Sequence, residues 1–516
     1  MMKDTYAHYS QLRQELSRWL DQSVMMDGPG PNHGGEDEAN YALTWFPHYL
    51  VTGNEKIVER FKTLLDDLEI WVDLECFHGY EAEAEAHHGT EPFLLFLPRY
   101  LSMFPKDELA RVLLEDAAHH IGNWVEEVPD WYDYERDVFR SYQIGTKVVG
   151  EEARFACEVA EHFRFIHIAL AAHRALEDEK YAEWALRYGR KRAERILAVD
   201  GPMPVLWDQE GNGLLTASLQ TLEQINMAAS SHHVVGDPLA GIENLLASGA
   251  IYALGDLFLL SRDSVFQEAA KRMVTPLIDE LLDPCADPAA AAISYYRWTF
   301  GDDSLDLEIE EELDRMPPPA EGKWAMVFPE ERSRRESGVG KRNDMIYWGE
   351  WSEDGSVAPL REPCPATMAL AYQLTGEVEY VRRAFRTAST KFLMARRVLR
   401  GGREHTDMGG AVCSVAAGHG RNWGQGAVTG CYGPLLLGTR EIGSQVTPLV
   451  EFEAGCIPEE VLSLVRPPVT GDGEVKFYNG GDQEVTFTWR LADEEEWREL
   501  TLEAGASQAF SARREG

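Results

Sequence analysis

The chain has 516 residues, with 87 acidic against 49 basic side chains, and its formal net charge is −38. Nucleic acids and anionic membranes bind basic surfaces, so this charge argues against both as partners. The seven cysteines are scattered without a CxxC pair, so the sequence predicts neither a disulfide framework nor a thiolate zinc site.

The N-terminal residues MMKDTYAHYSQLRQELSRWL predict an amphipathic helix. They lack the apolar core and the small-residue cleavage site of a signal peptide. No stretch of the chain approaches the roughly 18 consecutive apolar residues of a membrane span. We therefore expect a cytoplasmic protein without a membrane partner, although a chain trimmed of its export signal would look the same. The oligomeric state is not predicted.

A turn followed by an amphipathic helix recurs along the chain. In each copy Asp, Glu, Gly or Ser occupies the turn and can cap the new helix, while the helix before the turn is more apolar. The copies are VTGNEKIVERFKTLL from Val51, FPKDELARVLLEDAA from Phe104, LEDEKYAEWALRYGR from Leu176, LSRDSVFQEAAKRMV from Leu260, FGDDSLDLEIEEELD from Phe300 and LTGEVEYVRRAFRTA from Leu374. This alternation predicts antiparallel helix pairs with one buried and one half-exposed member.

Six or seven such pairs in a ring form an (α/α)6 or (α/α)7 toroid, which we predict for residues 1–440, with the first helix closing the ring. The alternative is an open solenoid, whose copies are usually more regular. We expect inner helices near 38–51, 91–103, 150–174, 241–260, 287–299, 360–373 and 427–438. We expect outer helices near 5–21, 54–68, 106–124, 178–197, 263–283, 303–315 and 376–399.

The links between pairs are unequal in length. Links from an outer to the next inner helix are long, except for a short one near 284–286. Links within a pair have only a few residues, so the long links share one rim of the ring. Long loops in compact domains usually carry function. The long links are 22–37, 76–90, 125–149, 198–240, 316–359 and 400–426.

The C-terminal segment has a different pattern. EVKFYNGGDQEVTFTWRL alternates apolar and polar residues around an NGGD turn, as hairpin strands do. We predict that residues 441–516 form a linker and a small antiparallel β-sandwich-like domain that packs on the helical body.

The long links supply candidate site residues. Histidine, tyrosine and glutamate act as general acids and bases, whereas aromatic rings stack on sugars and arginines pair with carboxylates. The alternatives are aromatic packing beneath a long loop and a solvated acidic loop. The candidate catalytic residues are His88, His233, Tyr142, His405 and Glu91. The candidate substrate-binding residues are Asn40, Tyr41, Asp37, Trp131, Arg140, Trp207, Arg421 and Trp423.

No cofactor or metal is predicted. His87, His88 and Glu91 could together hold a divalent metal, but HHxxE is not the HExxH spacing of a zinc-binding helix, so this interpretation is not favoured.

The alternating helix pairs, one-sided long links and C-terminal β segment resemble the (α/α)-toroid carbohydrate-active enzymes. That group includes polysaccharide lyases of the alginate, chondroitin and heparin type and toroid glycoside hydrolases such as the unsaturated glucuronyl hydrolases. The resemblance covers the architecture of nearly the whole chain. No motif selects one family, so no residue role is carried over.

The resemblance implies a saccharide substrate. A lyase acting on a uronic-acid saccharide would use His88 or His233 as base, Asn40 and Arg421 to neutralise the carboxylate, and Tyr142 or His405 as acid. A glycoside hydrolase with two carboxylates is the close alternative, with candidates Asp37, Glu85, Glu91, Asp208, Asp344 and Asp407. A sugar epimerase and a non-catalytic helical scaffold are weaker alternatives.

Overall fold

The computed structural model describes residues 1–23, 36–81, 89–215, 239–320, 323–327, 347–398, 416, 426–439 and 447–513. For residues 23, 36–40, 81, 327, 347 and 398 it describes the backbone alone. The fold is mainly helical, with several small antiparallel sheets. The helices are α1 (Met2–Ser23), α2 (Glu36–Thr52), α3 (Glu55–Glu75), α4 (Leu97–Met103), α5 (Glu108–Ala118), α6 (Arg164–Leu176), α7 (Glu179–Ala198), α8 (Ala240–Ala247), α9 (Ala250–Ser261), α10 (Ser264–Val274), α11 (Asp287–Phe300), α12 (Asp306–Leu313), α13 (Pro365–Thr375), α14 (Val378–Val398) and α15 (Tyr432–Leu437).

The helix starts show why the repeated turns end one helix and begin another. The side chains of Asn54, Asp107, Asp178 and Asp263 each accept a hydrogen bond of 3.0 or 3.1 Å from a backbone N–H in the first turn of the helix that follows. These bonds satisfy amides that have no partner within the helix. The capping that the sequence predicted at these turns is therefore present.

The first members of the helix pairs, here called the inner helices, contact one another in chain order. The π-helical turn Pro92–Phe96, which leads into α4, lies against both α2 and α6. Helix α6 then packs on α9, α9 on α11 and α11 on α13. The series of contacts returns to its start, because α15 packs on α2. The segment just before α15 lies against α13, since a Cβ atom at Gly430 would lie 3.0 Å from the Cβ of Ala366 in α13. Among the outer helices, α1 packs on α14 and α7 on α10.

Three predicted helices differ from the observed ones. Helix α6 begins at Arg164 and not near residue 150, since 150–163 contain short 3-10 turns and a strand. The helix predicted near 241–260 breaks at Gly249, whose φ of +70° separates α8 from α9. Helix α10 gives way to a 3-10 turn at Thr275 because Pro276 lacks the N–H that an α-helix needs.

The long links contain short strands that the sequence analysis left as loop. Three antiparallel strands lie in the fifth link, where KWAMV and YWGEW were not identified as strands. The strands in the links are β1 (Cys76–Phe77), β2 (Tyr80–Glu81), β3 (Tyr132–Asp133), β4 (Val138–Phe139), β6 (Leu206–Asp208), β7 (Gly213–Leu214), β8 (Lys323–Val327), β9 (Tyr347–Trp351) and β10 (Val357–Pro359). Strand β5 (Cys157–Glu158) lies where a helix was predicted.

The C-terminal strands form two three-stranded antiparallel sheets, in the orders β11-β14-β15 and β12-β13-β16. The strands are β11 (Val450–Phe452), β12 (Val461–Arg466), β13 (Gly473–Asn479), β14 (Val485–Leu491), β15 (Arg498–Leu502) and β16 (Ser507–Ala512). The sheets face each other through Phe477 and Trp489, whose ring centroids are 4.8 Å apart. Strands therefore occur where the alternation predicted them, while the domain boundary at residue 440 lies outside the described residues.

The β-sandwich packs on the ends of the inner helices. The backbone N–H of Ile457 donates to Val51 O at the end of α2, and the Arg466 guanidinium donates to the carbonyls of Gln373 and Leu374 at the end of α13. The long links enter at the opposite ends of these helices. Across the described ranges, no single helix is long and apolar enough to cross a membrane, and α8 with α9 meets that test only as a pair bent by 61°.

Candidate active site

Charged side chains are buried where the inner helices begin. Such groups are costly to bury and need partners, so their arrangement is informative. Glu91 precedes the turn into α4, Arg164 begins α6, and Asp287 begins α11; each is at most 5% exposed. All three lie on the side that the long links enter.

Glu91 and Arg164 form a buried ion pair between two neighbouring inner helices. The Arg164 Nη1 atom donates to Glu91 Oε1 at 2.6 Å and lies 3.3 Å from Thr90 Oγ1. Glu91 was predicted from its position before Pro92, and the structure adds its partner. The second oxygen, Oε2, is buried and has no hydrogen-bond partner among the residues described. One face of this carboxylate is thus not engaged by the arginine.

Two further polar side chains near the same ends of the helices are only partly satisfied. Glu161, in the 3-10 turn before α6, has a buried Oε2 atom, and Asn244, in α8, has a buried side-chain amide. Within the described ranges none of these atoms has a hydrogen-bond partner. Buried polar groups are hydrogen-bonded in most native structures, so Glu161 and Asn244 are further polar groups to consider at this end of the inner helices.

Asp287 was not identified from the sequence. Its Oδ1 atom lies 3.4 Å from the backbone N–H of Ala366. Burial raises the pKa of Asp287 to about 6, against the opposing effect of Lys391, so this acid is partly protonated near neutral pH. Asp-Pro is an ordinary helix start, so nothing in the sequence distinguishes this residue from a helix cap.

Lys391 is the cation whose charge opposes the rise in the pKa of Asp287. Its Nζ atom donates to Pro284 O at 2.6 Å and lies 5.3 Å from the centroid of the Trp348 ring. The ammonium group is buried on the outer helix α14 and holds the segment that precedes α11. The acid and the cation therefore come from separate helices, and the fold brings them together.

Four predicted site residues are packed in the interior: Tyr41, Trp131, Tyr142 and Trp207 are each at most 5% exposed. The Trp131 Nε1–H donates to Gly145 O at 3.0 Å, and its ring meets that of His120 at 4.6 Å. The Trp207 ring packs under the Arg192 guanidinium at 4.8 Å. The prediction that these two tryptophans stack on sugar rings is corrected, because other side chains cover their ring faces.

Tyr41 and Tyr142 are covered in the same way. The Arg60 guanidinium lies 5.3 Å from the centre of the Tyr41 ring. Tyr142 packs in a small cluster with Val159 and Leu206, beneath the strands β5 and β6. Among the described residues, both rings are therefore covered by other side chains and are not exposed.

Arg140 is accessible, as a substrate-binding residue must be. Its side chain is 49% exposed and pairs with Asp130 at 3.2 Å, while its Nε donates to Tyr132 O at 3.3 Å. It lines a cavity of about 250 Å³ together with Glu151 and Gln209. An exposed guanidinium in a polar recess can bind a carboxylate.

The remaining predicted residues are not described in full. Asp37 and Asn40 lie in α2 with backbone alone. The following residues lie outside the described ranges: His87, His88, His233, His405, Arg421 and Trp423. The roles assigned to them remain predictions.

No protein-family model matches the chain, and no curated protein matches it. Among solved structures, the chain is similar to the crystal structure of unsaturated glucuronyl hydrolase, responsible for the degradation of glycosaminoglycan, from Bacillus sp. GL1. The identity is 16%, the match covers 61% of this chain and 82% of that chain, and the TM-score is 0.42. The neighbour carries a name from the group that the sequence resembles, but at this TM-score the likeness carries no weight for the activity of this chain.

Proposed function

We propose that this protein is a carbohydrate-active enzyme that cleaves glycosidic bonds in a uronic-acid-containing oligo- or polysaccharide. The observation that carries the proposal is the burial of Glu91, Arg164 and Asp287 where inner helices begin, on the side of the long links. Isolated charges cost several kcal/mol to bury, and apolar side chains could fill the same positions at less cost. Perturbed acids and ion pairs of this kind cluster at active sites.

The proposal places the site on an (α/α)7 toroid. The contacts between inner helices return from α15 to α2, which supports a closed ring over an open solenoid. Hydrogen bonds at the junction support this closure, since His48 of α2 lies 3.0 Å from Ser17 Oγ of α1 and 3.2 Å from Tyr432 OH of α15. Helix α1 would then be the outer member of the seventh pair.

The first mechanism is β-elimination. A base would remove the proton at C5 of the uronate, a neutralising group would stabilise the carboxylate, and an acid would protonate the leaving oxygen. We assign His88 or His233 as the base and Arg421 with Asn40 as the neutralising groups. We assign His405 or Tyr142 as the acid.

The second mechanism is hydrolysis, and one observation favours it. A glycoside hydrolase needs a carboxylic acid that holds its proton near neutral pH. Asp287 is the candidate for this acid, because burial raises its pKa toward neutrality, to about 6. Glu91, with one oxygen unpaired among the described residues, is then a candidate for the second carboxylate.

The expected charge of the substrate follows from Arg140. An exposed guanidinium, held at Asp130 and lining a polar cavity, gives a uronate carboxylate a partner on an otherwise acidic protein. A neutral glucan could accept hydrogen bonds from this guanidinium, but without the attraction between opposite charges. We therefore expect selectivity for uronic-acid saccharides.

The proposal is tested with the purified chain on alginate, chondroitin and heparin-type saccharides, with a neutral glucan as the matched substrate control. New reducing ends report cleavage, and ultraviolet absorbance of a C4–C5 double bond reports elimination. Elimination predicts that His88→Ala and His233→Ala lose at least about 100-fold in rate, the scale of a general base. If the reaction is a hydrolysis, Asp287→Asn should lose at least about 100-fold in rate, and the products should show no absorbance from a C4–C5 double bond.

The variant control is His173→Ala. His173 lies in the last turn of α6, on the short-link side, where its Nδ1 is 3.2 Å from Asp178 O. Its loss should leave the rate within a factor of about two if the rim carries the chemistry. Absence of new reducing ends on every uronic-acid saccharide would overturn the proposal.

A further inference from the structure

His78, Asp116 and His119 form a cluster where the second long link meets the end of α5. His78 lies at the tip of the β1–β2 hairpin, whereas Asp116 and His119 lie in and just after the last turn of α5. The spacing of three residues places the second pair on one face of the helix. One ligand atom from each residue lies within 4.8 Å of the other two.

The hairpin is fixed on the end of α5 by its turn residues. His78 and Gly79 have φ values of +51° and +79°, and Phe77 pairs with Tyr80 across this two-residue turn. A Cβ atom at Gly79 would lie 3.0 Å from the Cα of Ala117, so only glycine lets the turn approach this closely. The Tyr80 hydroxyl donates to Ala117 O at 3.1 Å. The imidazole of His78 is therefore held over the helix end.

The distances between the donor atoms suit a small divalent cation. His78 Nδ1 is 3.2 Å and His119 Nε2 is 3.7 Å from the same oxygen, Asp116 Oδ1. A tetrahedral zinc ion with bonds of about 2.0–2.2 Å separates its ligand atoms by about 3.4 Å. Both distances to Asp116 Oδ1 lie within a few tenths of an ångström of this separation, and one ligand atom from each of the three residues lies within 4.8 Å of the other two.

The surroundings complete the pattern of a metal site. Glu127 Oε1 lies 3.6 Å from His78 Nε2, the ring nitrogen that is not near Asp116. In many metal sites a carboxylate lies next to the histidine nitrogen that does not bind the metal. His119 Nε2 is buried and has no hydrogen-bond partner among the described residues. The three side chains are 18–32% exposed, which leaves access for an ion and for a fourth ligand from solvent.

We propose that His78, Asp116 and His119 bind one divalent transition metal ion, with zinc the best match to two imidazoles and one carboxylate. The ion would connect the second long link, through His78, to the end of α5. This site uses different residues from the metal considered for His87, His88 and Glu91, and it does not depend on the proposed activity. The competing explanation is a histidine–aspartate hydrogen bond without a metal.

The test is zinc binding by the full chain after dialysis against a chelator. Competition with a chromophoric chelator gives affinity and stoichiometry, and we expect one zinc ion per chain. His78→Asn and Asp116→Asn should each weaken binding by at least about 100-fold, and Glu127→Gln by about 10-fold. Asparagine tolerates positive φ, so the first variant keeps the turn. His173→Ala, at a histidine outside the cluster, is the matched control and should bind as the unmodified chain does.

A second measurement separates loss of the site from loss of the fold. Zinc should raise the thermal midpoint of the unmodified chain and of His173→Ala, and should leave that of His78→Asn and Asp116→Asn unchanged. Cobalt should give tetrahedral ligand-field bands in the unmodified chain that His119→Ala abolishes. Absence of zinc binding, or equal binding by the site variants and the control, would overturn the proposal.

Discussion

The buried pair of Glu91 and Arg164 gives a prediction with a definite size. The two side chains are 7% and 6% exposed, and the atoms that pair them are 2.6 Å apart. At an effective dielectric constant of 20, two charges at this distance attract by about 6 kcal/mol, much of which offsets the cost of removing them from water. Breaking such a pair from one side costs about 3–5 kcal/mol, because the other charge is left buried.

We therefore expect Glu91→Gln and Arg164→Met each to lower the free energy of unfolding by about 3 kcal/mol. The double variant should be less destabilised than the sum of the two, since neither charge remains, with a coupling of about 2 kcal/mol. The exposed pair of Arg136 with Asp133, at 3.3 Å, provides the control. Arg136→Met should change stability by less than about 1 kcal/mol.

Urea unfolding of the four variants and the unmodified chain, followed by circular dichroism and by tryptophan fluorescence, measures these quantities. Coincidence of the two probes is needed for a single free energy to be meaningful. If Glu91→Gln stays within about 0.5 kcal/mol of the unmodified chain, or if the two substitutions are additive, the pair is not a desolvated ion pair and the reasoning fails.

Three further predictions concern Asp287 and two residues of the third link, Trp131 and Arg140. Because burial raises the pKa of Asp287 to about 6 from its usual value of 3.8, the folded state binds the proton more tightly, so this group costs stability as the pH rises through that window. Asp287→Asn should therefore become more stable than the unmodified chain by up to about 3 kcal/mol between pH 4 and pH 7, and a difference that does not vary with pH would contradict this. Trp131→Ala should cost about 3–5 kcal/mol of unfolding free energy, because the ring is buried and bonded to Gly145. Arg140→Ala should leave unfolding within about 1 kcal/mol but raise KM for a uronic-acid saccharide several-fold; the opposite pattern would reverse the roles given to these two residues.

The helix pairs could be predicted because their signals are local. Asp107, Asp178 and Asp263 cap helices within three residues of their own position, and the turn chemistry that marks them is visible in the sequence. The strands at 473–479 and 485–491 were visible for the same reason, since alternation is a short-range pattern.

The parts that were missed depend on contacts between distant segments. Trp131 looks like a sugar-stacking residue in a loop, and its burial follows from rings that the chain brings from elsewhere, such as Tyr80 and Phe165. Asp287 acquires its raised pKa from burial against α13, which begins 78 residues later in the chain. His78 and Asp116 meet because Gly79 lets a hairpin lie on a helix end. Spacing along the sequence does not report such encounters.

The proposed activity is tested most directly by the masses of the products from a defined uronic-acid tetrasaccharide. We predict that the chain converts it into two shorter saccharides. Their summed mass would equal that of the substrate for elimination, or exceed it by one water for hydrolysis. An intact tetrasaccharide, across alginate, chondroitin and heparin-type substrates, would contradict the account.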